Sequence, residues 1–294
     1  MESFASTVKK ELCRAPINRP CCALAEGLGV LLFCNTFHGD EIRILTEHEG
    51  FATRLPQLFL KGFSVTFDQL PSGNGKFRFV IKDKEKLKTI VEKLGGERDG
   101  FSCQINFAYV EEECCRTAFC RGAFLAGGAV SDPVKGYHLE LVTSHLSVSR
   151  QFPALLHESG FSPKTTQRKG HFMSYFKKSS EIEDFLSVLG APISAMEIMN
   201  AKLEKDLKRD VNRRLNCEMA NLDKTVDATL QQIEIISQLE KMGILDTLPE
   251  KLQQTASLRV EYPEYTLSKL ADCFSPPISK SALSHRLRKL QSYL

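Results

Sequence analysis

Read as a string of apolar and polar positions, the first two thirds of the chain repeat one pattern. An almost unbroken apolar stretch, 25-AEGLGVLLFCNTF-37, is followed by alternation in 41-EIRILTE-47 and then by a helical period. Two more alternating stretches follow, 62-GFSVTFD-68 and 76-KFRFVIK-82, and a short helix closes near Leu94-Gly95-Gly96. The same order returns in 118-AFCRGAFLAGGAV-130, 136-GYHLELVT-143, a second amphipathic helix, 160-GFSPKTTQRKG-170, 171-HFMSYFKK-178 and a helix ending at Leu189-Gly190. A period of 3.6 marks helix and a period of 2 marks strand, and glycine suits the left-handed residue that ends a helix. The predicted order is therefore αβαββα, twice. The copies align directly: 42-IRILTEHEGFATRLPQLF-59 lies over 139-LELVTSHLSVSRQFPALL-156, with Thr46 over Thr143, His48 over His145 and Pro56 over Pro153. In K-F-R-F-V-I-K the alternation turns Phe77, Phe79 and Ile81 inward and Lys76, Arg78 and Lys82 outward.

From Met196 the pattern changes to helix alone. The segment 196–225 lacks Pro and Gly and sets Leu203, Leu207, Val211 and Leu215 four apart, with Lys and Arg mostly off that stripe. A second helix, 226–243, is expected to close at Gly243, and Pro249 can start a new one. Three short helices then have helix-turn-helix proportions: 249–262, 266–274 with Thr266 as N-cap, and 279–294 with Ser279 as N-cap. Ser275-Pro276-Pro277 breaks the chain between the last two. Leu267, Leu270, Ala271, Leu283, Leu287 and Leu290 form the expected small core. The outer face of the last helix carries Lys280, Ser281, Ser284, His285, Arg286, Arg288 and Lys289, and no acidic residue follows Asp272. Residues at the start of a recognition helix meet base edges and its longer cations meet phosphates. That assigns Lys280, Ser281, Ser284 and His285 to bases and Arg286, Arg288 and Lys289 to phosphates, with Ser279 at the entry. The fold class is α+β, organised as repeat 1 (1–100), repeat 2 (101–195), a helical connector (196–245) and the helix-turn-helix domain (246–294).

Composition adds little to this and excludes some classes. The 294 residues carry a net charge of +3, with 42% apolar and 26% charged residues. No run approaches the ~18 apolar residues that span a bilayer, and MESFASTVKKELCRAP has no apolar stretch after its charges, so a cytoplasmic protein without membrane partners is expected. Ten cysteines include no C-x-x-C, and two adjacent pairs, Cys21-Cys22 and Cys114-Cys115. That spacing predicts reduced, buried thiols and no zinc site, hence no metal and no cofactor. No His pair has helical metal-ligand spacing, so His38, His48 and His145 are expected at the surface or in structural hydrogen bonds.

Candidate chemistry centres on 125-LAGGAVSDP-133. Consecutive small residues, Ala126 to Ala129, let a second helix approach closely, and Asp132 falls at the base. This resembles the LAGLIDADG fold of homing endonucleases, in which two such helices pair at a pseudo-twofold axis over sheets that grip duplex DNA. The resemblance implies a carboxylate at each helix end holding divalent metal for phosphodiester cleavage. Here Asp132 takes the second acidic position, but the first aligns with Gly39, Asp40 comes one residue late, and Phe33, Cys34 and Asn35 replace the small residues. The expected metal pair is broken, which points to a non-cutting descendant. With the run N-R-R-L-N-C-E-M-A-N at 212–221 and S-K-S-A-L-S-H-R-L-R-K-L at 279–290, the whole chain resembles the WhiA family, a degenerate LAGLIDADG domain joined to a helix-turn-helix related to region 4 of primary sigma factors.

The resemblance implies a nucleoid-associated transcription regulator that binds specific double-stranded DNA without cutting it. It further implies sporulation control in filamentous actinobacteria, and cell division and chromosome segregation in Firmicutes. Two alternatives stand beside it. One is a residual nuclease using Asp132 with Asp40. The other is a repeat domain that binds protein, such as RNA polymerase or a division factor, which the near-equal acids and bases before residue 196 favour.

Overall fold

The computed structural model describes residues 2–38, 40–71, 75–94 and 103–294, which fall into two compact units divided between Lys205 and Asp206. In the first unit, α1 (Phe4–Leu12) precedes the repeat. Repeat 1 then contains α2 (Pro20–Phe33), β1 (Thr36–His38), β2 (Glu41–Thr46), α3 (Glu49–Phe63), β3 (Phe77–Ile81) and α4 (Lys84–Lys93). Repeat 2 contains α5 (Glu113–Gly127), β4 (Gly128–Val130), β5 (Leu139–Thr143), α6 (Leu146–Glu158), β6 (Lys164–Arg168), β7 (His171–Phe176) and α7 (Ser179–Leu189). Both sheets are antiparallel, ordered β1-β2-β3 and β4-β5-β7-β6.

Two corrections to the expected order follow. Each central helix leads into a three-residue strand, β1 or β4, too short for periodicity to reveal. The expected strand at 62–68 does not form: α3 runs on to Phe63, Ser64 turns left-handed, and only Gln69 bridges to Val80. The glycines expected to end α4, Gly95 and Gly96, lie outside the described residues, whereas Gly190 closes α7 in the left-handed conformation as anticipated.

The repeat is visible down to single hydrogen bonds. Thr46 Oγ1 accepts the His48 N–H at 3.1 Å, and Thr143 Oγ1 accepts the His145 N–H at 3.2 Å, each just ahead of the helix that His48 or His145 caps. Phe51 N–H donates to His48 Nδ1, leaving Nε2 to donate to the Ser6 carbonyl. Burial lowers the His48 pKa, which favours the neutral ring that this arrangement requires. The sheets turn Ile42, Ile44, Phe79 and Ile81, and in repeat 2 Leu139, Leu141 and Phe176, into one apolar core shared by both repeats.

α2 is apolar all round, and from Ala23 to Phe33 every residue is buried, as such a helix must be. It packs along α5, and the crossing point is set by two glycines. A Cβ on Gly29 would stand 2.1 Å from the Phe119 carbonyl oxygen, and one on Gly122 would stand 2.0 Å from that of Glu26. Close pairing thus rests on Gly29 and Gly122, 93 positions apart, more than on the expected 126–129 stretch. Within that stretch, Gly127 does meet the Phe33 carbonyl at the helices' C-terminal ends.

α8 (Pro192–Lys241) is one continuous helix, not the two expected. Its first turn is capped from α1, because the Glu11 carboxylate accepts the N–H groups of Ile193 and Ser194 at 2.8 and 2.9 Å. Leu203, Leu207, Val211 and Leu215 are exposed. A spacing of four advances about 40° beyond a full turn, so the stripe winds round the helix instead of facing one neighbour. In the second unit, α9 (Glu250–Glu261), α10 (Leu267–Asp272) and α11 (Lys280–Gln291) pack with the end of α8. Ile236 and Leu239 of α8 join the small core, so that core begins before residue 246. Among the described residues, no helix is long and apolar enough to cross a membrane.

Candidate nucleic-acid interface

α10 and α11 are held in place by caps and by one buried arginine. Thr266 Oγ1 accepts the Lys269 N–H at 3.4 Å and Ser279 Oγ accepts the Ala282 N–H at 3.1 Å, the two caps expected from sequence. Arg259 of α9, 2% exposed, donates through Nη1 to the Tyr265 carbonyl at 2.9 Å and so fixes the approach to α10. Ser279→Ala is expected to cost the second unit about 1 kcal/mol, read as a lowered urea midpoint, because it orphans a first-turn donor.

Leu283, Leu287 and Leu290 bury one face of α11. At 100° per residue, Ser281, His285 and Arg288 lie opposite that face, and all three are exposed. Lys289, also exposed, flanks them, whereas Lys280 is exposed in the first turn, nearer in angle to the leucine face. Ser284 is half-buried. Arg286 is half-buried as well, its guanidinium 5.3 Å from the centroid of the Phe274 ring, so this cation packs on its own unit. The set expected from sequence thus divides into an outward row, two exposed lysines, a half-buried Ser284, a capping Ser279 and a packed Arg286.

In the first unit, the ends of the central helices carry no carboxylate: α2 runs out at Phe33-Cys34 and α5 at Gly127-Gly128. Asp132, expected at the base of the second helix, instead sits beyond β4 in the β4–β5 turn, where its Oδ1 accepts the Val134 N–H at 2.9 Å. Lys205 Nζ donates to the Pro133 carbonyl of that turn. Asp40 lies exposed in the corresponding β1–β2 turn. An open cavity at this end of the helix pair is lined by Asn35, Glu47, His48, Lys76, Gly128 and Ala129, and Glu47 stands 3.5 Å from Lys76.

The outward cations of the first sheet share a counter-ion. Arg43, Arg78 and Lys82 all approach Glu41, at 2.7, 4.0 and 3.9 Å. The Arg43 hydrogen bond leads in holding the Glu41 carboxyl below its usual range. On the second sheet, β6 is exposed along its whole length, from Lys164 to Arg168.

Across 300 aligned residues the chain is 35% identical to "Probable cell division protein WhiA" of Ruminiclostridium cellulolyticum, covering 98% of this chain and 96% of that one. The chain belongs to the WhiA family. A WhiA relative from Bacillus subtilis is 36% identical over 98% of this chain and 95% of its own. The WhiA LAGLIDADG-like domain matches residues 116–208 and the WhiA C-terminal HTH domain matches residues 211–294. The fold agrees with the crystal structure of full-length DUF199/WhiA from Thermotoga maritima, at TM-score 0.62 and 22% identity, covering 99% of this chain and 98% of that one.

Sequence reasoning missed three features of this WhiA-family chain. α1 stands outside the repeat, so no alignment revealed it. Glu26 is buried at 2% exposure against Arg54 and Arg121, a pairing across distant segments whose only signal was a lone acid in an apolar helix. The cysteine pairs Cys21-Cys22 and Cys114-Cys115, set aside as separate buried thiols, come together, with Cys21 and Cys114 exposed.

Proposed function

We propose that this WhiA-family chain is a non-enzymatic, nucleoid-associated transcription regulator that binds specific double-stranded DNA through α11 and acts in cell division and chromosome segregation. The observation that carries it is the outward row Ser281, His285 and Arg288, opposite Leu283, Leu287 and Leu290, in a segment with no acid after Asp272. Ser281 and His285, with Ser284 at the edge of the row and Lys280 exposed in the first turn, are suited to base edges, and Arg288 and Lys289 to phosphates. The relatives' description as cell division proteins and the matched HTH domain support this reading.

The test is binding, by fluorescence anisotropy, to a duplex recovered by selection from a randomised pool. Ser281→Ala and Lys280→Ala are expected to cost about 1–3 kcal/mol on the selected duplex and little on random DNA. Lys289→Ala is expected to weaken both alike and to reduce the salt slope by about 1. Equal losses on both duplexes for all three variants sink the assignment. On supercoiled plasmid with Mg²⁺ or Mn²⁺ no nicking is expected. Nicking that disappears in Asp132→Asn restores the nuclease reading.

A second reading concerns the first unit as a platform for a protein partner, such as RNA polymerase or a division factor. It is favoured by Glu41, which pairs with Arg43 and stands near Arg78 and Lys82, so that an acid lies within the outward cationic row of the first sheet. Binding of the selected duplex that survives deletion of everything after Gly243 counts against it.

A further inference from the structure

The two helices that cross at Gly29 and Gly122 run side by side, and their N-terminal turns each carry a cysteine pair. Cys21 and Cys22 follow Pro20 at the start of α2, and Cys114 and Cys115 follow Glu113 at the start of α5. The pairs are 93 positions apart, the same offset as the crossing glycines, so the pseudo-twofold repeat sets them face to face. The Sγ atoms of Cys21, Cys22 and Cys115 lie within 4.8 Å of one another, the one such convergence of three or more metal-ligating side chains among the described residues. Cys114 Sγ stands 3.9 Å from Cys115 Sγ. Cys114 thus stands at the margin of the set of three, joined to it through Cys115.

We propose that Cys21, Cys22, Cys114 and Cys115 form a thiolate site for a single zinc ion that clamps the N-terminal ends of the two central helices. Four thiolates around Zn²⁺ at about 2.3 Å place neighbouring sulfurs about 3.8 Å apart, close to the separation seen between Cys114 and Cys115. Adjacent residues rarely share an ion in the middle of a helix, because their side chains diverge by about 100°. At the first turn the ion sits beyond the helix end, within reach of both. A tetrathiolate zinc carries two negative charges, and three features of the fold offset them: the N-terminal ends of α2 and α5, which favour anionic groups, and Arg19, whose Nη1 lies 3.8 Å from Cys114 Sγ. Burial falls from Cys115, which is buried, through half-buried Cys22 to exposed Cys21 and Cys114, which leaves an entry path for the ion. Spacing rules missed the site because they look for both cysteines of a pair within one short segment, and here the two halves arrive from opposite repeats.

The experiment uses the full chain, purified reduced and without chelator, with metal measured by plasma mass spectrometry. One zinc per chain is expected. After chelation, Co²⁺ is expected to bind and show the visible absorption of a tetrahedral thiolate complex, which added Zn²⁺ then removes. Cys22→Ser with Cys115→Ser is expected to abolish uptake. Since Cys115 is buried and its loss can impair folding, Cys21→Ser with Cys114→Ser, at the exposed positions, provides the second arm and is expected to weaken Zn²⁺ affinity at least tenfold. Cys217→Ser with Cys273→Ser, exposed thiols of the second unit, is expected to retain full metal content. The proposal is overturned if the reduced chain takes up neither ion, if all four cluster cysteines can be replaced without loss of metal, or if intact mass shows these cysteines as disulfides in freshly purified protein.

Discussion

Gly122→Ala is expected to destabilise the first unit by about 1–3 kcal/mol, and Gly29→Ala by a similar amount. In an exposed helix the same change raises stability by roughly 1 kcal/mol, because alanine has the higher helix propensity. Here the added Cβ would stand 2.0 or 2.1 Å from a carbonyl oxygen of the opposite helix, far inside contact distance, and the obstacle is backbone. No rotamer relieves it. α2 and α5 must separate along their whole crossing, and overpacking of this kind costs about 1–3 kcal/mol or more, outweighing the propensity gain. Gly136→Ala, where nothing lies within 4 Å of the new atom, should stay near the parent. Urea unfolding followed by circular dichroism distinguishes the two sites. If Gly122→Ala matches or exceeds the parent's midpoint, the close crossing is wrong.

A larger loss, about 3–5 kcal/mol, is expected from Glu26→Ala. The Glu26 carboxylate takes Nε and Nη2 of Arg54 in a fork, the second at 2.8 Å, and Nη1 of Arg121 at 3.4 Å. Arg54 is itself 6% exposed and also donates to the carbonyls of Cys13 and Ala15, so it joins α3, α2 and the segment after α1. Alanine would leave a buried guanidinium without its counter-ion, and that uncompensated charge is the main cost. Arg54→Leu should lose a similar amount. The double change Glu26→Leu with Arg54→Leu should lose clearly less than the sum, because it removes both charges together. A strictly additive double variant would mean that the pair contributes little and that the single losses come from packing.

The apolar runs of α2 and α5, the helical period of α3 and α6 and the matching of 42–59 to 139–156 were enough to establish the duplication, since each copy must bury equivalent surfaces. The helix-turn-helix was legible for a related reason. Its caps, Thr266 and Ser279, and its leucine spacing are local signals, and all of them form. Where the reading failed, a local signal was weak or a distant partner decided. β1 and β4 have three residues each, and the 62–68 alternation yields to a helix that continues to Phe63. Asp132, placed by motif alignment at a helix end, belongs to the turn after a strand that the alignment could not see.

The sequence by itself determined the repeat, the fold class and the polar outer face of the last helix, because those follow from hydrophobic periodicity, and the runs at 212–221 and 279–290 carried the family resemblance. Tertiary structure alone decided which glycines let α2 and α5 cross, that Glu26 is neutralised by Arg54 and Arg121, that Arg286 turns to Phe274, and that Cys21 and Cys22 of one repeat meet Cys115 of the other. Each of these joins residues that nothing in the local pattern connects, and only the packing of one helix against another brings them within reach.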